Sequence, residues 1–399
     1  MAKVAVFGYG TVGSGAVEVM VKNAEEIAKK TGVSLEVAYI LDLRDFPGDP
    51  MEDKVVHDVE VILNDPEVKV ICETMGGVNP AYTFTKRALE LGKSVCTSNK
   101  ELVAAKGPEL LEIAKANNCS YLFEASVGGG IPIIRPLLTC LTAEKIEAIQ
   151  GILNGTTNYI LTKMSDEGAD FADVLKKAQE LGYAEKDPTA DVEGHDAGRK
   201  IAILSSLAMG QTVSYDDVYT EGITKITPVD FAYARALGLQ IKLIAMSKMT
   251  EDGNFALVTP RLLDAKSPLA CVQDVFNGIL VTGNMLGDSM YYGKGAGKLA
   301  TASAVVGDVI EEAKNEGRTI PVLWKAEKAA VSNYKDLSQQ YLVRIAGTDE
   351  AAALAAFPGG KVVKVAEADN EFAVLTENMK ECDYDAKAAG LSVISMIRM

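Results

Sequence analysis

Asp196 and Lys200 stand four residues apart where an apolar helical pattern begins, and a carboxylate one helical turn from an amine can move protons. Lysine is the side chain whose pKa falls most readily on desolvation. A lysine on the first turn of a half-buried helix, oriented by an aspartate, can therefore act as general acid or base. On a solvated face the same spacing gives only an ion pair of ~0.3–0.5 kcal/mol. The stretch before it is crowded with charge, with Glu185, Asp187, Asp191 and Glu193 all lying between Gly182 and Gly194 or next to them. Ala197, Ile201, Leu204 and Ala208 then recur at the three-and-four spacing of a buried stripe, so the sequence predicts a charged loop running into a core helix. The chain has 2 histidines, His57 in a polar stretch and His195 beside Asp196, so a lysine has to be weighed as proton donor.

A second constellation opens the chain. Lys3-Val-Ala-Val-Phe is a β-rich run feeding Gly8-Tyr-Gly10-Thr-Val-Gly13, and Val12, Ala16, Val19 and Met20 predict an amphipathic helix after it. In a strand–turn–helix the glycines have separate tasks: Gly8 makes the tight turn, Gly10 lets a pyrophosphate approach, and Gly13 lets helix and strand pack. The helix N-terminus adds amides and dipole for the phosphates. Without a ligand the same pattern is merely a tight βα connection. Asp42, ending the strand Leu35-Glu-Val-Ala-Tyr-Ile-Leu, stands where an acid accepts the adenosine ribose hydroxyls of NAD, while Arg44 beside it can hold the 2′-phosphate of NADP. Thr74-Met-Gly76-Gly77 and Ser98-Asn-Lys100 follow the runs Lys69-Val-Ile-Cys and Lys93-Ser-Val-Cys-Thr, which places Gly76, Ser98 and Lys100 at the nicotinamide half. Lys100 can equally be an exposed strand-end lysine.

These residues need a sheet to hold them. Strands alternating with helices over Pro80 to Leu91, closed by Gly92, and over Pro108 to Ala116 predict an α/β chain with a Rossmann-type doubly wound parallel sheet. After Tyr121-Leu-Phe-Glu124, the loop Ala125-Ser-Val-Gly-Gly-Gly-Ile-Pro132 can converge carbonyls on a hard cation or serve as a hinge. From Ile146 the character changes: a strand ends in a glycine turn and opens a helix at which Thr156 and Thr157 are caps or ligands. A helix from Phe171 to Leu181 follows, and strands at Gln240-Ile-Lys-Leu-Ile-Ala, Phe255-Ala-Leu-Val and Gly278-Ile-Leu-Val predict a mainly antiparallel sheet in an α+β domain. From about Ser338 the order is βαββαβ, a ferredoxin-like module. The expected organisation is a dinucleotide-binding domain over 1–135 completed by a helix at about 298–330, a substrate-binding and dimerisation domain over 136–297, and a small module over 338–399.

With 399 residues, 48% hydrophobic and 24% charged, the chain can bury two or three cores. A formal charge of −15 argues against nucleic acid or an anionic membrane as partner and favours a small-molecule substrate. Cys72, Cys96, Cys119, Cys140, Cys271 and Cys382 form no C-x-x-C pair, which predicts free thiols in a reducing compartment. No signal-peptide pattern and no apolar run near ~20 residues is present, so a cytoplasmic protein is expected. Apolar alternation in the antiparallel strands predicts that one face or edge pairs with a second copy, giving a homodimer or higher homo-oligomer.

Taken together the motifs resemble the homoserine dehydrogenase family over nearly the whole of the first 330 residues. The resemblance rests on Gly8-x-Gly-x-x-Gly13, Thr97-Ser-Asn-Lys-Glu-Leu-Val103, Glu124-Ala-Ser-Val-Gly-Gly-Gly-Ile-Pro132, Gly151-Ile-Leu-Asn-Gly-Thr156, Gly182-Tyr-Ala-Glu185, Asp187-Pro188 and Asp191-x-x-Gly-x-Asp-x-x-x-Lys200. It implies reversible NAD(P)-dependent interconversion of L-homoserine and L-aspartate 4-semialdehyde, on the route to threonine, methionine and isoleucine. Lys200 would be the acid/base, supported by Asp196, with Glu185, Asp191 and Thr156 on the substrate. The implied cofactor set is Gly8, Gly10, Thr11, Val12, Gly13, Asp42, Arg44, Gly76, Ser98, Lys100 and Gly295, for NADP or NAD. A sodium ion would be held by Glu124 with the backbone of Val127, Gly129 and Ile131. The tail shares its order with regulatory ACT modules, but reads Thr348-Asp-Glu-Ala where those carry an Asp-x-Pro-Gly turn.

Overall fold

Val4, Ala5, Val6 and Phe7 are apolar on both faces, and such a run is stable in a sheet only when layers cover both sides. In the computed structural model, which describes residues 1–399, they lie in the inner strand Ala2–Phe7 of a six-stranded sheet. Its order from one edge is Val55–Val56, Leu35–Leu41, Ala2–Phe7, Val68–Glu73, Ser94–Thr97 and Tyr121–Leu122, with every neighbouring pair parallel. The strand order reverses at Ala2–Phe7, so the loops leaving its carboxyl end and that of Val68–Glu73 diverge and leave a crevice. Helices Thr11–Lys22 and Lys298–Lys314 pack on one face, where Ala16, Val17 and Met20 meet Ala302, Val305 and Val309 over Val4 and Val6. This sheet belongs to a compact unit of Met1–Ala143, Ala202–Ser214 and Gly293–Ala329.

The other unit comprises Glu144–Ile201, Tyr215–Tyr292 and Ala330–Met399. Its ten-stranded mixed sheet begins at the edge strand Gly287–Lys294 and runs through Phe276–Gly283, Ile146–Ile152, Leu239–Thr250 and Gly253–Asp264, antiparallel where these strands are registered. Val393–Arg398 then joins Gly253–Asp264 through Arg261 and Arg398, and carries Tyr341–Ala346, Glu371–Leu375 and Lys361–Val363 beyond it. The βαββαβ segment thus continues the middle sheet instead of folding on a sheet of its own, while keeping a core of Tyr341, Val343, Phe357, Phe372 and Tyr384. No helix is long and apolar enough to cross a membrane.

Two helices differ from their expected extents. The one read from Pro108 starts at Lys100, because the Asn99 side chain accepts a hydrogen bond from Leu102 N at 3.1 Å and caps it; Pro108 lies inside the helix Lys100–Ala116. The helix read to about 330 stops at Lys314, and residues after it run irregularly to the short strand Lys325–Lys328.

The first unit buries three acids whose protons are tightened by desolvation. Burial pushes Glu73 and Asp308 up to about 7 and Glu312 well above its ordinary range. Both Glu312 carboxyl oxygens lack a hydrogen-bond partner, which suits a protonated group. The folded chain then holds a proton that the unfolded chain releases near 4.5, so stability declines as pH rises from there to the folded value. Glu312→Gln removes this term. Its thermal midpoint relative to the parent should rise as pH increases above 4.5; an offset that does not change with pH would contradict a buried protonated Glu312.

Candidate active site

Asn154 precedes Gly155 at the start of the helix Gly155–Glu167, and its side chain accepts from Thr157 N at 2.9 Å as the cap. Capping leaves its amide nitrogen free to donate elsewhere. That nitrogen reaches Asp191 Oδ1 at 2.7 Å and Asp196 Oδ2 at 3.0 Å. Lys200 Nζ meets the same Asp196 oxygen at 2.8 Å and the Leu153 carbonyl at 2.8 Å. The lysine and aspartate side chains are only 11% and 7% exposed, so the pair is no solvated ion pair. Because an ammonium carries three donors, these two bonds leave one N–H to offer a substrate oxygen. Lys200, Asp196, Asp191 and Asn154 therefore form one connected group on the second unit. The sequence reading included Asn154 in a motif without a role; the signal was an Asn just before a glycine at a helix start.

A second buried lysine tests the choice. Burial lowers Lys242 to about 8, the more reactive value at first sight, yet its ammonium donates to Val272 O at 2.6 Å, Asn158 Oδ1 at 3.1 Å and Gln273 Oε1 at 3.1 Å. All three donors are committed, so Lys242 ties a helix to a loop and has none for a substrate.

Other predicted residues are placed differently. Thr156 is not the helix cap; its hydroxyl donates to Tyr183 O at 2.6 Å and pins the loop leading to Glu185. Glu185 itself is on that loop, exposed, with its carbonyl held by Gln179 Nε2 at 2.9 Å. His195 turns its Nδ1 to Tyr215 Oη at 2.7 Å, a contact the sequence did not announce.

In the first unit the glycine turn has the geometry a dinucleotide needs. Gly8 has φ +87°, and a Cβ on Gly13 would lie 1.9 Å from Gly8 O and 2.7 Å from Thr74 Oγ1, so no other residue allows the helix this close to the strand. A Cβ on Gly10 would meet nothing within 4 Å, which leaves open space over the turn. Helix Thr11–Lys22 has no capping side chain and no acid in its first turn, so the amides of Thr11, Val12 and Gly13 remain available to an anion. Tyr9 N donates to Asp42 Oδ2 at 2.8 Å, tying the turn to the second strand's end. Arg44 grips the same carboxylate bidentately, Nε to Oδ1 at 2.9 Å and Nη2 to Oδ2 at 3.0 Å, and holds it well below the usual carboxylate range. Gly8, Asp42, Arg44, Met75 and Phe84 line a cavity with His57, whose Nδ1 donates to Asp42 O at 2.7 Å. The residues present fit a nicotinamide dinucleotide.

Glu73 ties together two loops that leave the sheet's carboxyl edge. One oxygen accepts from Met75 N at 2.7 Å and the other from Thr97 Oγ1 at 2.5 Å, which fixes the segments carrying Gly76 and Ser98 to each other; Lys100 opens the next helix. Farther along, Glu124 is buried and takes the N–H groups of Ile133 at 2.6 Å, Ile134 at 2.9 Å and Arg135 at 2.6 Å. The loop Val127, Gly129 and Ile131 lies against Gly295, whose carbonyl would be 2.2 Å from a Cβ on Gly129.

Comparison with known proteins gives the chemistry its class. The model for the NAD binding domain of homoserine dehydrogenase matches residues 8–124, and the homoserine dehydrogenase model matches 132–310. A homoserine dehydrogenase of Synechocystis is 39% identical, covering 99% of this chain and 97% of the relative. The crystal structure of a homoserine dehydrogenase from Thiobacillus denitrificans superposes with a TM-score of 0.91 at 34% identity, covering 100% of this chain and 97% of that one. A hyperthermophilic archaeal homoserine dehydrogenase in complex with NADPH superposes with a TM-score of 0.67 at 30% identity, over 81% of this chain and 99% of that one. A dinucleotide-type glycine turn lies in one unit and a buried lysine–aspartate pair in the other, and the chain belongs to the homoserine dehydrogenase family, NAD(P)-dependent oxidoreductases that interconvert L-homoserine and L-aspartate 4-semialdehyde.

Proposed function

We propose that Lys200 is the general acid of semialdehyde reduction and the general base of homoserine oxidation. The observation that carries this reading is the Lys200 ammonium, buried, bonded to Asp196 and Leu153 O, with one donor left. Reduction of an aldehyde builds an alkoxide, and that third N–H gives it a proton; in the opposite direction the amine removes the hydroxyl proton. Asp196 keeps the ammonium oriented while Asn154 takes up part of the carboxylate's charge. Asp191 and Glu185 answer the substrate's own ammonium with negative charge, and Thr156 holds their loop through Tyr183. The nicotinamide cofactor supplies or accepts the hydride. Gly8, Gly10, Thr11, Val12 and Gly13 bind its pyrophosphate, Asp42 and Arg44 its adenosine ribose, and Gly76, Ser98, Lys100 and Gly295 its nicotinamide half.

Both NADP and NAD serve, because Asp42 and Arg44 stand together at the end of one strand. A steady-state assay of aspartate semialdehyde reduction with each reduced cofactor tests the reading: turnover is expected with both, and none with either would contradict it. Glu124 and the carbonyls of Val127, Gly129 and Ile131 are an all-oxygen set suited to a hard cation such as sodium. Three N–H bonds leave the Glu124 carboxylate room for one more partner.

The enzyme works in the cytoplasm, where its free cysteines stay reduced and its product feeds threonine, methionine and isoleucine synthesis. It is a homodimer. The strand Gly287–Lys294 stands at the edge of its sheet beside exposed Met285, Leu286 and Tyr292. Light scattering should give twice the chain mass, and a monomer at micromolar concentration would refute it.

A further inference from the structure

Arg398 lies nearly two hundred residues after Lys200, yet its side chain, only 3% exposed, reaches back toward the acid–base group through a short chain of contacts. Its Nε and Nη2 bond both oxygens of Glu381 at 2.8 and 2.9 Å, and its Nη1 donates to Glu221. The guanidinium also lies over the ring of Tyr219, 5.3 Å from its centroid, and Tyr219 stacks on Tyr334 at 3.7 Å. Neutralising the arginine takes one carboxylate, so the second, on a loop, ties that loop to the strand Val393–Arg398.

The loop it holds leans on the active residues. Tyr219–Thr220 pairs with Leu257 and Val258, Glu221 N donates to Val258 O at 2.8 Å, and Ile223 N donates to Val192 O at 2.8 Å. A Cβ on Gly222 would lie 2.2 Å from Val192 O, so the loop rests directly on the one-turn helix Thr189–Val192 that carries Asp191. Asp191 in turn is bonded to Asn154, which bonds Asp196, the partner of Lys200. On the far side, a Cβ on Gly198, in the first turn beside Asp196, would stand 3.2 Å from Thr220 Oγ1.

We propose that Arg398 is a positioning residue for the reaction: by fixing Glu221 it holds residues 219–223 against Val192, and so keeps Asp191 in register with Asn154 and the Asp196–Lys200 pair. This rests on the roles given above to Asp191 and Lys200. Arg398→Lys keeps the charge but cannot fork between two carboxylates. Glu221→Ala leaves the Arg398–Glu381 pair intact and removes the acceptor through which Arg398 holds the loop. Each should lower kcat/KM for homoserine roughly ten- to a hundredfold, mainly by raising its KM, because displacement of a substrate-binding acid by even about 1 Å is costly. The dissociation constant of NADPH should not change. The double variant should be no worse than the poorer single one, since both break the same link.

A purely structural arginine predicts otherwise: a lower thermal midpoint and less folded enzyme, with wild-type KM in what folds and effects that add. Wild-type KM in Glu221→Ala overturns the proposal, even if Arg398→Lys fails to fold. Lys200→Ala measured alongside separates the two layers. If it also keeps normal turnover the assignment of the site is at fault, and if it is crippled while Glu221→Ala is normal, only the role of Arg398 falls.

Discussion

Lys200→Ala should lower turnover by roughly 10²–10⁴, the range for loss of a general acid, while NADPH affinity stays near that of the parent. The separation follows from how the lysine is held, since its hydrogen-bond partners, Leu153 O and Asp196, have no part in cofactor binding. Stability enters as a control. Removing Lys200 takes away the cation paired with the buried Asp196 carboxylate, and deleting one partner of a buried pair destabilises by about 3–5 kcal/mol. The measurement is therefore the rate per folded active site, counted by stoichiometric NADPH binding. A fall in turnover explained wholly by a smaller folded fraction would remove Lys200 from the chemistry.

The second large effect is selective. Arg44→Ala should weaken NADPH by about 1.5–3 kcal/mol, the value of a charge-assisted hydrogen bond, or roughly ten- to a hundredfold in its KM. NADH should be spared or helped, because Arg44 now occupies both oxygens of the carboxylate that would receive the ribose hydroxyls. Freed of the guanidinium, Asp42 turns an unbalanced negative charge toward the 2′-phosphate. Initial-rate KM values for the two cofactors decide it, and equal losses with both would show that Arg44 only supports the turn.

The first unit was legible because its elements are local. Strand, glycine turn and amphipathic helix each carry their own period, and the parallel sheet follows from their alternation. The helix at Lys100 was misread for a local reason too: a proline inside a helix imitates a start, and the cap, Asn99, lay within a motif read as a loop. What the sequence could not show was long-range. Burial of Asp196 and Lys200 depends on Leu153 and Asn154, more than forty residues earlier, and nothing in a four-residue spacing distinguishes that environment from a wet helix face. That Asn154 and not Thr156 caps the helix was likewise hidden, because a hydroxyl's partner, here Tyr183 O, is set by how two loops meet. The tail's order was readable, whereas its fusion to the middle sheet rests on the single pairing of Arg261 with Arg398, for which no local pattern exists.

The proposed role of Lys200 is to give a proton and not merely to place a positive charge. Lys200→Arg separates these, because guanidinium keeps the charge and cannot release a proton near neutral pH. Single-turnover hydride transfer from enzyme-bound NADPH to aspartate semialdehyde, followed at 340 nm as a property of reduced nicotinamide, is the direct measurement. Lys200→Arg should be as slow as Lys200→Ala, roughly 10²–10⁴ below the parent; a near-normal rate in Lys200→Arg would show that charge alone suffices and would rule out proton transfer from Lys200.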